Sequence, residues 1–237
     1  QLLELYKSLG GEFKQGAFLR YDEQDDGLVV TLKSGEQIAC RYLVGADGST
    51  SSVRHFLTNN HDNGFLILEQ YVKKSPDNAI EVNMSKHYDL RGYFYRFPNS
   101  EFDAIGYGDE SATPQKFREI LKEMNIPETK LFGCYMYSKH DYPLHNRVIL
   151  IGDAGGFANR VTSEGIKAAF ETARNAAEAI TSGRPFREVN AALFERMRKE
   201  DRFARFFFKP STIRILGWLC HNMPCVVNWC FNRALRS

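Results

Sequence analysis

RVILIGDAGGFANRVTSEGIKAAFETARNAAEAI, Arg147 to Ile180, decides the reading of this chain. Val148 to Ile151 is an apolar run short enough to be one buried parallel strand. Gly152-Asp153-Ala154-Gly155-Gly156 then turns the chain without bulky side chains. Ser163-Glu164-Gly165 follows and leads into a helix. There Ile166, Ala169, Phe170, Ala173, Ala177 and Ile180 recur at spacings of three and four, the apolar stripe of an amphipathic helix.

The order of strand, acidic glycine turn and helix start has a chemical use. Open α/β sheets bind ligands at the C-terminal ends of their strands, where Asp153 falls. A carboxylate accepts hydrogen bonds from a polyol. A helix beginning near Gly165 offers unpaired N–H groups and the positive end of its dipole. Gly165 itself would let a flat ring approach the backbone. A hydroxylated chain beside a ring that becomes anionic describes a reduced flavin. An ordinary strand–turn–helix corner with a solvated Asp153 is the other reading, and both stand at this point.

A second stretch has the same logic. Leu43 to Ala46 is a short apolar strand, Asp47-Gly48 a tight turn at its end, and Ser52-Val53-Arg54 the entry to a helix. Asp47 is placed either to support a ligand or to cap that helix. Between the two motifs lie strand-like segments: Phe65–Val72, Ala79–Met84, Gly92–Phe97, Ala104–Tyr107 and Phe132–Lys139. Thr113-Pro114 opens a helix to about Met124. Alternation puts Tyr93, Tyr95 and Phe97 on one strand face, either lining a groove or packing on a helix. Before Asp47, Gln1–Leu9 reads as a helix, and Glu12–Leu19, Leu28–Leu32 and Gln37–Cys40 as a meander.

GDAGGFANRVTSEGI and GADGSTSSVR resemble the two fingerprints of geranylgeranyl reductase-type flavoproteins, within the p-hydroxybenzoate hydroxylase-like group. The resemblance implies FAD as cofactor and allows NAD(P)H as electron donor. It gives Asp153 the ribityl chain, Gly152 a place in the cofactor site beside it, and Gly165 and Ile166 the flavin pyrimidine. Asp47 and Gly48 would support FAD and touch a nicotinamide cofactor, and Leu19 would meet the adenine through its backbone. GYFYRFP, from Gly92 to Pro98, is similar to the family's substrate-side segment and offers Tyr93, Tyr95 and Phe97 to an isoprenoid chain. Tyr142-Pro143 matches a short segment before the second fingerprint. The chain departs from the pattern at Arg160, where proline is usual, at Ser163, the first position of the GEG triplet, and at Tyr95, where tryptophan is usual.

The whole chain sets bounds on these readings. Its 237 residues are 43% hydrophobic and 13% aromatic, which is globular composition with room for an apolar cavity. A net charge of +2 gives no case for nucleic acid. From Arg184 onward eleven basic residues stand against four acidic ones, a net of +7 that leaves −5 for the rest. With Phe, Trp and Leu among them, this tail is suited to peripheral contact with an anionic membrane surface. Five cysteines without a secreted pattern, and no leader-like opening, place the expected setting in the cytoplasm. Cys220, Cys225 and Cys230 lack the paired spacing of structural zinc, so no metal is expected. No GxGxxG follows an opening strand, and Gln1 falls inside an uncapped helix. A preceding dinucleotide-binding unit is therefore expected.

The expected fold is mixed α/β: the C-terminal part of a Rossmann-like FAD-binding domain, an antiparallel-sheet substrate domain and a helical tail. The boundaries run 1–60 and 147–183 for the FAD-binding parts, 61–146 for the sheet and 184–237 for the tail. The expected activity is flavin-dependent reduction of carbon–carbon double bonds in a polyprenyl or other apolar or lipid substrate. An aromatic-type monooxygenase using NAD(P)H and oxygen shares the same motifs. A flavin-binding or membrane-surface module without catalysis is the alternative of another class. No GxSxG or HExxH anchors a hydrolase or metalloenzyme, and no catalytic side chain is assigned.

Overall fold

The computed structural model describes residues 1–83, 92–109, 111–140, 145, 147–160, 163–207, 209–223 and 225. In chain order the elements begin with α1 (Leu2–Ser8), β1 (Phe18–Gln24), β2 (Gly27–Leu32), β3 (Gln37–Cys40), β4 (Leu43–Gly45) and α2 (Ser52–Thr58). Next come β5 (Phe65–Lys73), β6 (Glu81–Asn83), β7 (Tyr93–Pro98), β8 (Phe102–Asp109), α3 (Pro114–Glu123) and β9 (Leu131–Met136). The chain continues through β10 (Val148–Leu150), a 3₁₀ turn at Gly152–Gly155, α4 (Ile166–Ser182), α5 (Phe186–Val189), α6 (Ala191–Phe207) and α7 (Pro210–Asn222).

β4 and β10 pair in parallel, Leu43 with Val148 and Gly45 with Leu150, although about a hundred residues separate them. The two motif turns therefore leave the same end of one small sheet. Leu28, Val53, Val148 and Leu150 close the core beneath it, with the β1–β2–β3 meander alongside. The intervening residues build a five-stranded antiparallel sheet in the order β6-β7-β8-β5-β9. One face carries Leu68, Phe94, Ile105 and Tyr107, covered by Phe117, Ile120 and Leu121 of α3. Thr113 caps α3 by accepting from the Lys116 N–H at 3.2 Å, and Pro114 fits the first turn. α4, α5 and α6 share a third core around Ile149, Phe157, Ala176, Phe186, Leu193 and Phe194.

Two expectations are corrected. Residues 12–17 are not a strand; β1 begins at Phe18 and runs to Gln24. β2 is six residues long and ends against Phe18, so the residues before it have no ladder partner there. The stripe expected on α4 is also not its buried face. Ile166 is 74% exposed and Phe170 67%, and Ala173 and Ala177 are exposed as well. The buried residues are Ala168, Thr172, Asn175, Ala176 and Ala179, on the adjacent face, and of the stripe Ile180 packs against the same core. Small side chains let α4 approach the 3₁₀ turn and α5 closely. Its polar ones are used there: the Thr172 hydroxyl accepts from the Gly152 N–H at 3.0 Å, and the Asn175 amide donates to Asn190 at 2.6 Å.

Among the described residues no helix is long and apolar enough to cross a membrane. None of them form a His, Cys, Asp or Glu cluster suited to a metal ion. Tyr142-Pro143, Cys230 and the Cys220 side chain lie outside the described residues.

Candidate functional site

The two turns and the start of α4 enclose a cleft of about 450 Å³. Ala46 and Gly48 line it from the first motif, Gly152 and Asp153 from the second, and Gly165 and Ile166 from the helix start. The cleft exists because β4 and β10 end side by side while the 3₁₀ turn carries the chain away and back. Gly156 makes that return possible. It sits at φ +72°, and a Cβ there would lie 1.9 Å from the Lys139 carbonyl oxygen.

Asp153 projects toward the beginning of α4. A Cβ on Gly165 would lie 2.7 Å from its Oδ1, so the glycine is what makes room for the carboxylate. Burial pushes the Asp153 carboxyl above its ordinary value. Its oxygens accept no hydrogen bond among the described residues. α4 has no side-chain cap at Gly165, although Glu164 accepts from the Lys167 N–H at 2.7 Å. The remaining first-turn donors leave positive potential at the mouth of the cleft. A partly desolvated acceptor and unspent donors thus face one cavity, a donor set that fits a polyol joined to a ring that takes up negative charge.

Asp47 is differently engaged. Its Oδ1 accepts from the Ser51 hydroxyl at 2.5 Å and its Oδ2 from the Ser52 N–H at 2.7 Å. Ser51 in turn accepts from the Arg54 N–H at 3.0 Å. Asp47 therefore builds the turn and the start of α2, and Gly48, at φ +75°, reaches the cleft in its place. Leu19 is exposed on β1, next to a register shift, and does not line the cleft.

Arg54 is the residue that the sequence reading passed over. It is 1% exposed. Its guanidinium donates to the Ala154 carbonyl at 3.1 Å, the Ser49 carbonyl at 2.5 Å and the Asp62 carbonyl at 3.0 Å. It also lies 3.6 Å from the centre of the Tyr137 ring. One planar side chain thereby joins both turns and the edge of the large sheet, which suits the fixed fork of arginine. The available signal was a cation entering a short helix beside Val53, directly after an acidic turn.

Tyr93, Tyr95 and Phe97 lie together on the sheet face opposite α3. Tyr95 stacks on Phe97 at 4.4 Å and tilts against Tyr93 at 6.1 Å. Phe97 is exposed, Tyr93 half-buried and Tyr95 buried. Cys134 shares this face, and burial, then the charges of Glu69 and Asp153, push its thiol up. Arg160 reaches the C-terminal helices instead, 3.5 Å from Asp201 of α6, which also meets His140 at 3.8 Å.

No protein-family model matches the chain. An uncharacterised protein of Methanosarcina barkeri is 30% identical over 188 residues, 72% of this chain and 46% of that protein. The chloroplastic geranylgeranyl diphosphate reductase of Nicotiana tabacum is 26% identical over 156 residues, 60% of this chain and 34% of that protein. The chain spans less than half the length of the curated relatives it matches. Among solved structures, a geranylgeranyl bacteriochlorophyll reductase-like protein of Thermoplasma acidophilum superposes with a TM-score of 0.69. It is 16% identical and covers 98% of this chain and 72% of its own. A probable FAD-dependent monooxygenase of Pseudomonas aeruginosa gives 0.60 at 17% identity, over 86% and 66%. The chain shares the fold of these two solved structures. In sequence the likeness extends to the chloroplastic geranylgeranyl diphosphate reductases of three plants.

Proposed function

We propose that this chain holds the flavin end of an FAD-dependent oxidoreductase whose substrate is apolar, most simply a polyprenyl group that is reduced at its carbon–carbon double bonds. The observation that carries the reading is the Asp153 carboxylate, raised by burial and without a described partner, in a cleft shared by both turns and the start of α4. Asp153 would hold the ribityl hydroxyls. Gly165 and Ile166 would lie against the pyrimidine, with the α4 N-terminus favouring negative charge there. Gly48 and Gly152 let the backbone come near, and Asp47 and Arg54 keep the two turns in register. Bound flavin supplies the hydride chemistry, so the protein needs no nucleophile of its own.

The aromatic face supplies the apolar wall. Phe97, Tyr71 and Phe132 are exposed along it, and exposed aromatic patches of this kind mark ligand surfaces. The basic tail is suited to bringing the protein to a membrane that carries a lipid substrate, and NAD(P)H is a candidate donor of electrons.

The test is turnover by the protein at its natural full length, reduced chemically under anaerobic conditions and given geranylgeranylated lipid. A product heavier by one hydrogen pair per double bond supports the proposal. An oxygenated product formed only with NAD(P)H and oxygen would assign the monooxygenase activity instead. Flavin binding without either product would point to a module that has lost catalysis.

A further inference from the structure

The open face of the large sheet is not uniformly apolar. Alternation along β5 turns Phe65, Ile67, Glu69 and Tyr71 to the side away from α3. In register with Glu69 stand Gly106 of β8 and Phe132 of β9, and Tyr95 of β7 pairs with Gly106 in turn. The Tyr95 hydroxyl donates to Glu69 Oε2 at 2.9 Å. Glu69, two residues along the same strand face, also holds the Tyr71 phenol above its ordinary value. Gly106 sets the geometry: a Cβ there would lie 2.0 Å from the Tyr95 ring, so the ring lies flat on the sheet floor. Among the described residues of this row, Glu69 is a carboxylate amid aromatic rings, and the Tyr95 phenol proton is turned to it.

A structural role alone would not need a charge. A glutamine would accept the same phenol proton and pack in the same volume. What the carboxylate adds is negative potential in the middle of an apolar surface, with the Tyr95 hydroxyl used as a donor to it. A ligand lying along this face finds π surfaces and an anion, and the Tyr95 phenol proton is already engaged. That suits an uncharged chain or one bearing a hydroxyl, and it opposes a phosphate or carboxylate in the same row.

We infer that Glu69 is a specificity-determining residue that makes this face select uncharged prenyl chains over anionic ones. The inference rests on the aromatic face being the substrate wall. It adds to that reading the charge class of the substrate: a neutral prenyl group, free as the alcohol or already attached to a larger molecule.

The experiment uses farnesol and farnesyl diphosphate as probes of the full-length protein, with dissociation constants measured calorimetrically for wild type, Glu69→Gln and Tyr95→Phe. The wild type is expected to bind the alcohol more tightly than the diphosphate. In Glu69→Gln that ratio should fall by roughly five- to tenfold, chiefly through tighter binding of the diphosphate, as expected for removing one charge at partly screened range. Tyr95→Phe removes the donor but keeps the charge, and should leave the ratio near that of the wild type. If both probes bind and Glu69→Gln leaves the ratio unchanged, or Tyr95→Phe lowers it equally, the charge assignment is wrong while the substrate wall stands. If neither probe binds the wild type, the substrate wall itself is wrong and the inference goes with it.

Discussion

Burial raises the Asp153 carboxyl, and this fixes the sign of its effect on stability. The folded state holds the proton more tightly than the unfolded one, so ionisation weakens the fold. The loss begins as pH climbs past the ordinary carboxylate value, about 4, and is complete above the raised one. Asp153→Asn should therefore give the ligand-free protein a higher midpoint of thermal unfolding at neutral pH and no advantage in acid. The same substitution should weaken FAD binding by roughly 10- to 100-fold, since a charged acceptor contributes about 1.5–3 kcal/mol to its hydrogen bonds. Calorimetric melting across pH and flavin titration measure the two effects separately. Arg54 should behave oppositely. Arg54→Met strands three carbonyls and empties the place against Tyr137, and should cost on the order of 3–5 kcal/mol in a denaturant titration.

Asp153 and Gly165 were legible in the sequence because their types and spacing carry chemistry. Arg54 and Glu69 were not, since their roles depend on partners distant in the chain. Ala154 is 100 residues beyond Arg54, and Tyr95 is 26 beyond Glu69.

At the scale of elements, periodicity identified α4 but not which side of it is buried. A hydrophobic stripe reports where apolar residues lie and not what packs against them. The 3₁₀ turn and α5 come close enough to need alanine, threonine and asparagine. Two substitutions separate the faces. Ala176→Leu should cost about 1–3 kcal/mol by overfilling the α4–α6 core. Phe170→Ser should change the stability of this 237-residue chain by no more than about 0.5 kcal/mol. Thr172→Val tests the link between helix and turn. It leaves the buried Gly152 N–H without its acceptor and should cost roughly 1–3 kcal/mol, lowering the melting midpoint by about 2–4 °C per kcal/mol. The strands of the large sheet were readable because turn residues punctuate them. β1 was displaced because a ladder extends only as far as its partner, and sequence alone does not show where β2 ends.

For the whole molecule, the decisive feature is that β4 and β10 meet after a long insertion. Two acidic glycine turns are each ordinary; placed at one end of one parallel pair, they make a cleft. The inserted sheet is tied back to them through Arg54, Tyr137 and the ion pair between Lys139 and Asp62. Lys139 and the Gly64 N–H hold the Asp62 carboxyl below its ordinary value. This tie is thus fully present above the ordinary carboxylate range and is lost as pH falls through the depressed value. Melting midpoints of wild type and Asp62→Asn should accordingly differ at neutral pH and converge in acid. Sequence motifs predicted that the two turns converge. The tie between sheet and turns was invisible there, because Asp62 and Lys139 are ordinary surface types until the fold brings them together.

Whether Asp153 holds a flavin is read from the visible absorption spectrum of the purified full-length protein beside that of Asp153→Ala. Oxidised-flavin bands in the wild type that vanish or weaken in the variant are the predicted result. A colourless wild type that takes up no added FAD, or a variant that retains the full bands, would contradict it.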